Sequence, residues 1–259
     1  MSETALITGA SSGIGLELAD IMASNGINVV LTARSEEKLN ALKQRIEQNH
    51  TAKAYVIAAD LTDEQTPELI YNKINELNLN IHYLINNAGF GDYGYFHNAN
   101  WSKQAGMIDL NIKSLTHLTH LFSRPMIERG QGKIMNVAST ASFQAGPLMS
   151  VYYATKHYVL AFSEAIAEEL EDFGITVTAL CPGPTESGFQ SKAEMEESRL
   201  INTFTMPSSR EVANYGYRAM MKGKRVAVHG WLNKILVQSI RFTPRKLASK
   251  IVHFLQSEQ

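Results

Sequence analysis

Two rhythms of apolar and polar positions alternate along the chain. Short apolar, β-branched runs at 5–8, 28–32, 54–58, 83–86, 133–137, 176–181 and 225–229 predict seven strands. Longer segments of helical period separate them, at 14–24, 35–48, 64–77, 100–128, 150–172 and 208–221. Such alternation predicts an α/β fold, a doubly wound parallel sheet with right-handed crossovers and helices on both faces. Segment 100–128 is read as one long helix with Pro125 near its end. The stretch 185–207 breaks the rhythm and is expected to form an inserted helix and loop beyond the sixth strand, where substrates bind in this architecture. After the last strand, 231–242 and 244–255 are amphipathic, with Thr243 expected as an N-cap and Pro244 at the first helical position. No repeat, low-complexity tract or linker divides the chain, so a single domain over 1–259 is expected, with a C-terminal extension over 231–259.

Composition narrows the class. With 259 residues, 44% hydrophobic and 19% charged, the chain can bury a core that needs no covalent staple. Cys181 is the single cysteine, which excludes an intrachain disulfide and favours a reducing, cytoplasmic setting. The start, Met1-Ser2-Glu3-Thr4, carries no secretory signature, and no apolar run reaches the roughly 18 residues of a membrane span. Net charge is −1, and nothing in the pattern indicates a nucleic-acid partner. Charge is nevertheless uneven: Arg218, Lys222, Lys224, Arg225, Lys234, Arg241, Arg245, Lys246 and Lys250 lie in a stretch without Asp or Glu.

The first strand runs into Thr8-Gly9-Ala10-Ser11-Ser12-Gly13-Ile14-Gly15. Glycines at such a turn let the backbone approach a pyrophosphate, which the first N–H groups of the next helix meet with the positive end of its dipole. At the end of the second strand, where a carboxylate would select the ribose hydroxyls of NAD(H), the sequence reads Thr32-Ala33-Arg34-Ser35. Arg34 can pair with a 2′-phosphate, so NADP(H) is expected over NAD(H). Farther along, Tyr152 and Lys156 are spaced to share one helical face, and Ser139 at the end of the fifth strand is placed to reach the same oxygen. A phenol beside an ammonium is a candidate acid/base for a carbonyl or alcohol oxygen.

Taken in order, Thr8 to Gly15, Asn86-Asn87-Ala88-Gly89, Asn111, Ser139, the Tyr152-x-x-x-Lys156 pair and Pro182-Gly183 resemble the short-chain dehydrogenase/reductase family, over about Ala5 to Gly183. The resemblance implies a Rossmann-type sheet and a carbonyl reductase acting with NADP(H). It implies Tyr152 as acid/base, Lys156 on the nicotinamide ribose, Ser139 on the substrate oxygen and Asn111 holding a water of the proton relay. It further implies Asp60 and Leu61 at the adenine, Asn87, Ala88 and Gly89 along the cofactor channel, and Pro182, Gly183 and Thr185 near the nicotinamide. Tyr153 is left as packing.

The run Phe90 to Phe96, Phe143-Gln144 and Pro147-Leu148-Met149, with Phe189 and Met195, are candidate walls of an apolar substrate cleft, Tyr93, Phe143, Met149 and Phe189 foremost. A hydrophobic carbonyl or secondary alcohol is therefore the expected substrate; a 3-oxoacyl (CoA or carrier-protein) reductase and a non-catalytic NADP-sensing protein are the alternatives. His117 and His120 suggest a metal, but without a third ligand they read as surface, and no metal is expected. The basic tail reads as plain surface, as recognition of an acidic carrier, or as peripheral contact with an anionic membrane. A homodimer through 100–128 and 150–172, or a homotetramer, is the expected assembly.

Overall fold

The strands form because their side chains face helices on both sides, leaving no solvated face that would require polar alternation. In the computed structural model, which describes residues 3–189 and 206–257, β1 (Thr4–Thr8) is buried throughout. Its Ala5 and Ile7 join one apolar cluster, and Leu6 joins the cluster on the opposite face. With β2 (Asn28–Ala33), β3 (Ala54–Ala58), β4 (Tyr83–Asn86), β5 (Gly132–Val137), β6 (Ile175–Cys181) and β7 (Val226–Val228), it builds a seven-stranded parallel sheet of order β3-β2-β1-β4-β5-β6-β7. The order reverses between β1 and β4, which opens a crevice beyond their carboxyl ends.

Helices α1 (Gly13–Ser24) and α2 (Glu36–Asn49) lie with the first cluster, which Val212, Ala213, Ala219 and Met220 of α7 (Ser209–Met221) also join. Helices α3 (Thr66–Glu76), α5 (Leu115–Arg129) and α6 (Ser150–Glu171) cover the other face, where Phe122 and Met126 pack against Ile70 and Ile74. The predicted helix 100–128 is in fact three pieces: α4 (Trp101–Ile108), a π-helical turn over Asp109–Ser114, and α5. Asn100 is the cap, its Oδ1 accepting the N–H groups of Ser102 and Lys103 at 2.9 and 3.3 Å. The wide turn carries Asn111, which is fully buried; turns of this kind concentrate at functional sites.

The C-terminal extension forms α8 (Trp231–Ser239), a 3₁₀ turn and α9 (Arg245–Gln256). Capping there departs from expectation. Pro244, not Thr243, occupies the N-cap of α9, and the Thr243 hydroxyl is turned back to donate to Ser239 O at 3.0 Å, satisfying the end of α8. The base of the predicted insertion is closed by a parallel bridge between Glu186 and Ser208, with Glu186 N–H donating to Pro207 O at 2.9 Å. The rest of the insertion, including Met195, lies outside the described residues.

Candidate functional site

At the crevice, Gly9 and Gly13 adopt φ of +68° and +57°, a region that side chains rarely enter. A Cβ on Gly9 would stand 2.8 Å from Asn87 Nδ2 and 2.9 Å from Ala88 Cα, so the turn closes only with glycine there. Asn87 holds it shut: its Nδ2 donates to Thr8 O at 2.9 Å and Gly9 O at 3.3 Å. The Asn87 and Ala88 N–H groups both donate to Thr8 Oγ1 at 3.0 Å. Ser12 is the N-cap of α1, yet its side chain caps nothing, and the first turn holds no acidic residue. That leaves the helix dipole and first-turn N–H groups available to an anion, which fits the pyrophosphate of a dinucleotide.

A cleft of about 490 Å³ runs from this turn to α6. Gly9, Ser11, Ser12, Gly13, Ile14, Arg34, Asp60, Leu61, Asn87, Ala88 and Gly89 line its cofactor end. Gly15 lies behind the turn, where a Cβ would collide with Asn87 Nδ2 and Gly9 O, so its role is packing. The Asp60 carboxylate is engaged, Oδ1 accepting from the Thr62 N–H and hydroxyl at 3.0 and 2.9 Å. Lys38, not singled out from the sequence, joins Arg34 at this end and adds a second cation.

Ser139, Tyr152, Lys156, Pro182, Gly183 and Thr185 line the other end. Ser139 follows β5 and caps a 3₁₀ turn, its Oγ accepting from Ala141 N–H at 3.0 Å, and it hydrogen-bonds Tyr152. Lys156 Nζ donates to Val137 O at 2.7 Å and stands 5.9 Å from the Tyr152 ring centroid. Burial pushes the Tyr152 phenol up to about 12, and the bond with Ser139 offsets only part of this. Burial also lowers the Lys156 ammonium to about 8. Within the protein alone burial therefore outweighs the Ser139 bond, and the phenol stays protonated. Cys181 is fully buried and its thiol is raised to about 12 by burial, as befits packing.

Asn111 is not free within the site. Its Nδ2 donates to Phe90 O at 3.0 Å and Thr155 Oγ1 at 3.1 Å, while Oδ1 accepts from Phe90 N–H at 3.2 Å. It thereby fixes the loop after β4 against α6. Gly89 lies between Asn111 and Lys156: a Cβ there would be 3.0 Å from Asn111 Oδ1 and 3.5 Å from Lys156 Nζ.

Of the four foremost substrate walls, Tyr93, Phe143, Met149 and Phe189, the structure brings two to the cleft. Met149 and Phe189 line it, with the Phe189 ring 5.2 Å from that of Tyr152, and Gly91 leaves room for both. Tyr93 does not line it; its hydroxyl donates to Gln256 O at 2.6 Å, which turns the ring toward α9. Phe143 packs with the cluster of Val159, Leu160 and Val237 instead. Phe90, from the same expected run as Tyr93, lines the cleft, as do Tyr153 and Gln256. Among the described residues no group of His, Cys, Asp or Glu is arranged to hold a metal. No described helix is long and apolar enough to cross a membrane.

Comparisons with known proteins agree with this geometry. The family profile for short chain dehydrogenase matches residues 3–198. A short-chain dehydrogenase from Sphingobium yanoikuyae, solved in complex with NADPH, is 30% identical and superposes with a TM-score of 0.83 over 93% of both chains. The bulky-bulky ketone specific alcohol dehydrogenase from Comamonas testosteroni is 29% identical, with a TM-score of 0.78 over 93% of this chain and 92% of that one. The very-long-chain 3-oxoacyl-CoA reductase of Bos taurus is 34% identical over 190 residues, 70% of this chain but 59% of the relative's length.

Proposed function

The chain belongs to the short-chain dehydrogenase family, and on that footing we propose that it is a single-domain NADP(H)-dependent oxidoreductase of hydrophobic carbonyl compounds or secondary alcohols. The observation that carries the reading is the meeting of Ser139, Tyr152 and Lys156 in one cleft with the glycine turn. Bound there, NADP(H) would supply or accept the hydride. Arg34 and Lys38 supply positive charge where a 2′-phosphate is expected. Ser139 orients the substrate oxygen, and Tyr152 gives that oxygen a proton in reduction or takes one in oxidation. Lys156 holds a positive charge next to the phenol and offers its remaining N–H groups to the ribose. Asn111 acts by fixing Phe90 and the loop that carries Gly89.

Apolar walls at Met149, Phe189 and Phe90 favour a hydrophobic substrate, in keeping with the bulky ketones named for the Comamonas enzyme. Reduction of a 3-oxoacyl thioester is the second reading, favoured by the bovine relative and the basic C-terminal stretch. The test is to follow NADPH absorbance with bulky ketones, 3-oxoacyl-CoA and polar ketoses. Consumption with none of them would defeat the reading; consumption only with 3-oxoacyl-CoA would establish the second.

We propose in addition a cytoplasmic homodimer through α5 and α6, checked by light scattering, and peripheral contact with an anionic bilayer through α8 and α9. Trp231, Ile235, Phe242, Leu247, Ile251 and Phe254 are exposed there, alongside Lys234, Arg241, Arg245, Lys246 and Lys250 and no acid up to Lys250. Apolar side chains with cations on one pair of helices fit an acidic headgroup layer. Salt-sensitive sedimentation with phosphatidylserine vesicles is expected; equal sedimentation with neutral vesicles, or none with either, would refute it.

A further inference from the structure

Helix α9 has two unlike sides. Inward, Ala248 and Gln256 are buried, Val252 packs against the cluster that holds Met149, Tyr152 and Tyr153, and Gln256 is part of the cleft wall. Outward, Leu247, Ile251 and Phe254 are exposed. Their spacing sets them in one stripe along the helix, with Lys246 and Lys250 flanking it. One helix thus walls the substrate end of the cleft and offers an apolar, cation-flanked surface to its surroundings.

The loop after β4 reaches the same edge. Its Phe90 lines the cleft, and Gly91 leaves room there for Met149 and Phe189. Tyr93 is tied to α9, its hydroxyl donating to Gln256 O at 2.6 Å. Farther along, Tyr95 and Phe96 are exposed, and the Tyr95 ring stands 6.4 Å from the ring of His253 in α9. Loop and helix therefore run together from the cleft to the exposed apolar face, which forms the rim of the substrate end. Charge decides what can cover this face. From Val212 to Ser257 the chain has no Asp or Glu. Among the described residues Arg241, Arg245, Lys246 and Lys250 form no ion pair. A second copy docked here would bring these cations against their own kind. An anionic headgroup layer pairs them, while the apolar side chains enter the acyl boundary.

Resting on the oxidoreductase and bilayer readings above, we propose that the cleft takes its substrate from the membrane itself. The substrate is a lipophilic ketone or secondary alcohol dissolved in an anionic bilayer, and it enters over the rim that α9 and the Tyr95-Phe96 loop form. Contact with lipid then does more than hold the protein in place, because the surface that touches the bilayer is the edge of the reacting cleft.

The test holds a long-chain methyl ketone at one mole fraction in phosphatidylserine vesicles and in phosphatidylcholine vesicles, and measures NADPH oxidation and sedimentation on the same samples. Equal mole fraction gives equal ketone in the surrounding water, so only access through the surface separates the two. The rate on phosphatidylserine is expected to lead by roughly tenfold or more and to lose that lead at high salt. Lys246→Glu with Lys250→Glu is expected to lose it too, while keeping the wild-type kcat/KM for a short, water-soluble ketone. Sedimentation with phosphatidylserine but equal rates overturns the proposal and spares the bilayer reading. Sedimentation with neither vesicle overturns both, as does an assembly of copies that Leu247→Ser with Ile251→Ser takes apart. Should no ketone be turned over, soluble ones included, the oxidoreductase reading is what fails, and fluorescence then decides the rim. Trp101 and Trp231 are the two tryptophans of the chain, so Phe96→Trp combined with Trp101→Phe and Trp231→Phe reports the rim alone. Quenching by brominated phosphatidylserine vesicles supports the proposal; its absence, when Trp231 in a Trp101→Phe chain is quenched, overturns it.

Discussion

Replacing Lys156 by methionine isolates what it costs to keep an ammonium beneath the cleft. Lys156 is 6% exposed, and its Nζ donates to Val137 O at 2.7 Å. Burial lowers its pKa from 10.5 to about 8. Between these values the unfolded chain holds a proton that the folded protein has released, so stability rises with pH across that window. The penalty is at full size below about pH 8 and amounts to about 3 kcal/mol at pH 7. Methionine removes it but takes the donor from Val137 O, which costs about 1–3 kcal/mol. A net stabilisation of up to about 2 kcal/mol is expected in the cofactor-free protein, a gain of several degrees in Tm. Urea unfolding of both proteins from about pH 6 to about pH 10 measures it, and the advantage should shrink as pH rises above about 8. NADPH affinity should fall in the same variant. A variant less stable than wild type at pH 7, or a difference independent of pH, would refute the reasoning.

Tyr152→Phe is expected to bind NADPH nearly as wild type by fluorescence titration while losing about 10³-fold in kcat; near-normal turnover would remove the phenol from the mechanism. Arg34→Asp is expected to raise the KM for NADPH by roughly tenfold or more with little change for NADH, and Lys38→Ala to do so more weakly. Steady-state kinetics with both cofactors checks this, and an unchanged NADPH to NADH ratio would place the phosphate elsewhere.

The sheet was legible because a strand buried on both faces must be apolar along its length, and this marks its place whatever its neighbours. The cofactor turn and the Tyr152–Lys156 pair were legible for a related reason: each needs residue types at fixed spacing within one local element. The π-helical turn over Asp109–Ser114 was not, since one extra residue per turn hardly disturbs a helical period. Lys38 lies four residues beyond Arg34 and could have been noticed from that spacing.

The substrate half of the cleft was read least well, and the reason lies in how it is built. Tyr93 and Phe143 occupy loops on the correct side of the sheet, but a loop aromatic can turn toward the cleft or away from it, and only its partners decide. For Tyr93 the partner is Gln256, which is 163 residues away in sequence. For Phe143 it is the apolar cluster containing Val237 of α8. Gln256 and Val237 belong to the extension beyond β7, whose sequence advertises an amphipathic pair of helices but not what they pack against, while Val159, Leu160, Ala179 and Cys181 of the Phe143 cluster come from α6 and β6. The helices of the extension place Asn233 Nδ2 where a Cβ on Gly183 would stand only 2.6 Å away, so the extension also reaches the end of the cleft that holds Ser139 and Tyr152. Chemistry in this protein is therefore written in short-range spacing. On the proposed function, choice of substrate is expected to depend on the approach of the last helices to α6, and substitutions in that extension are expected to alter kcat/KM among substrates before they alter NADPH binding.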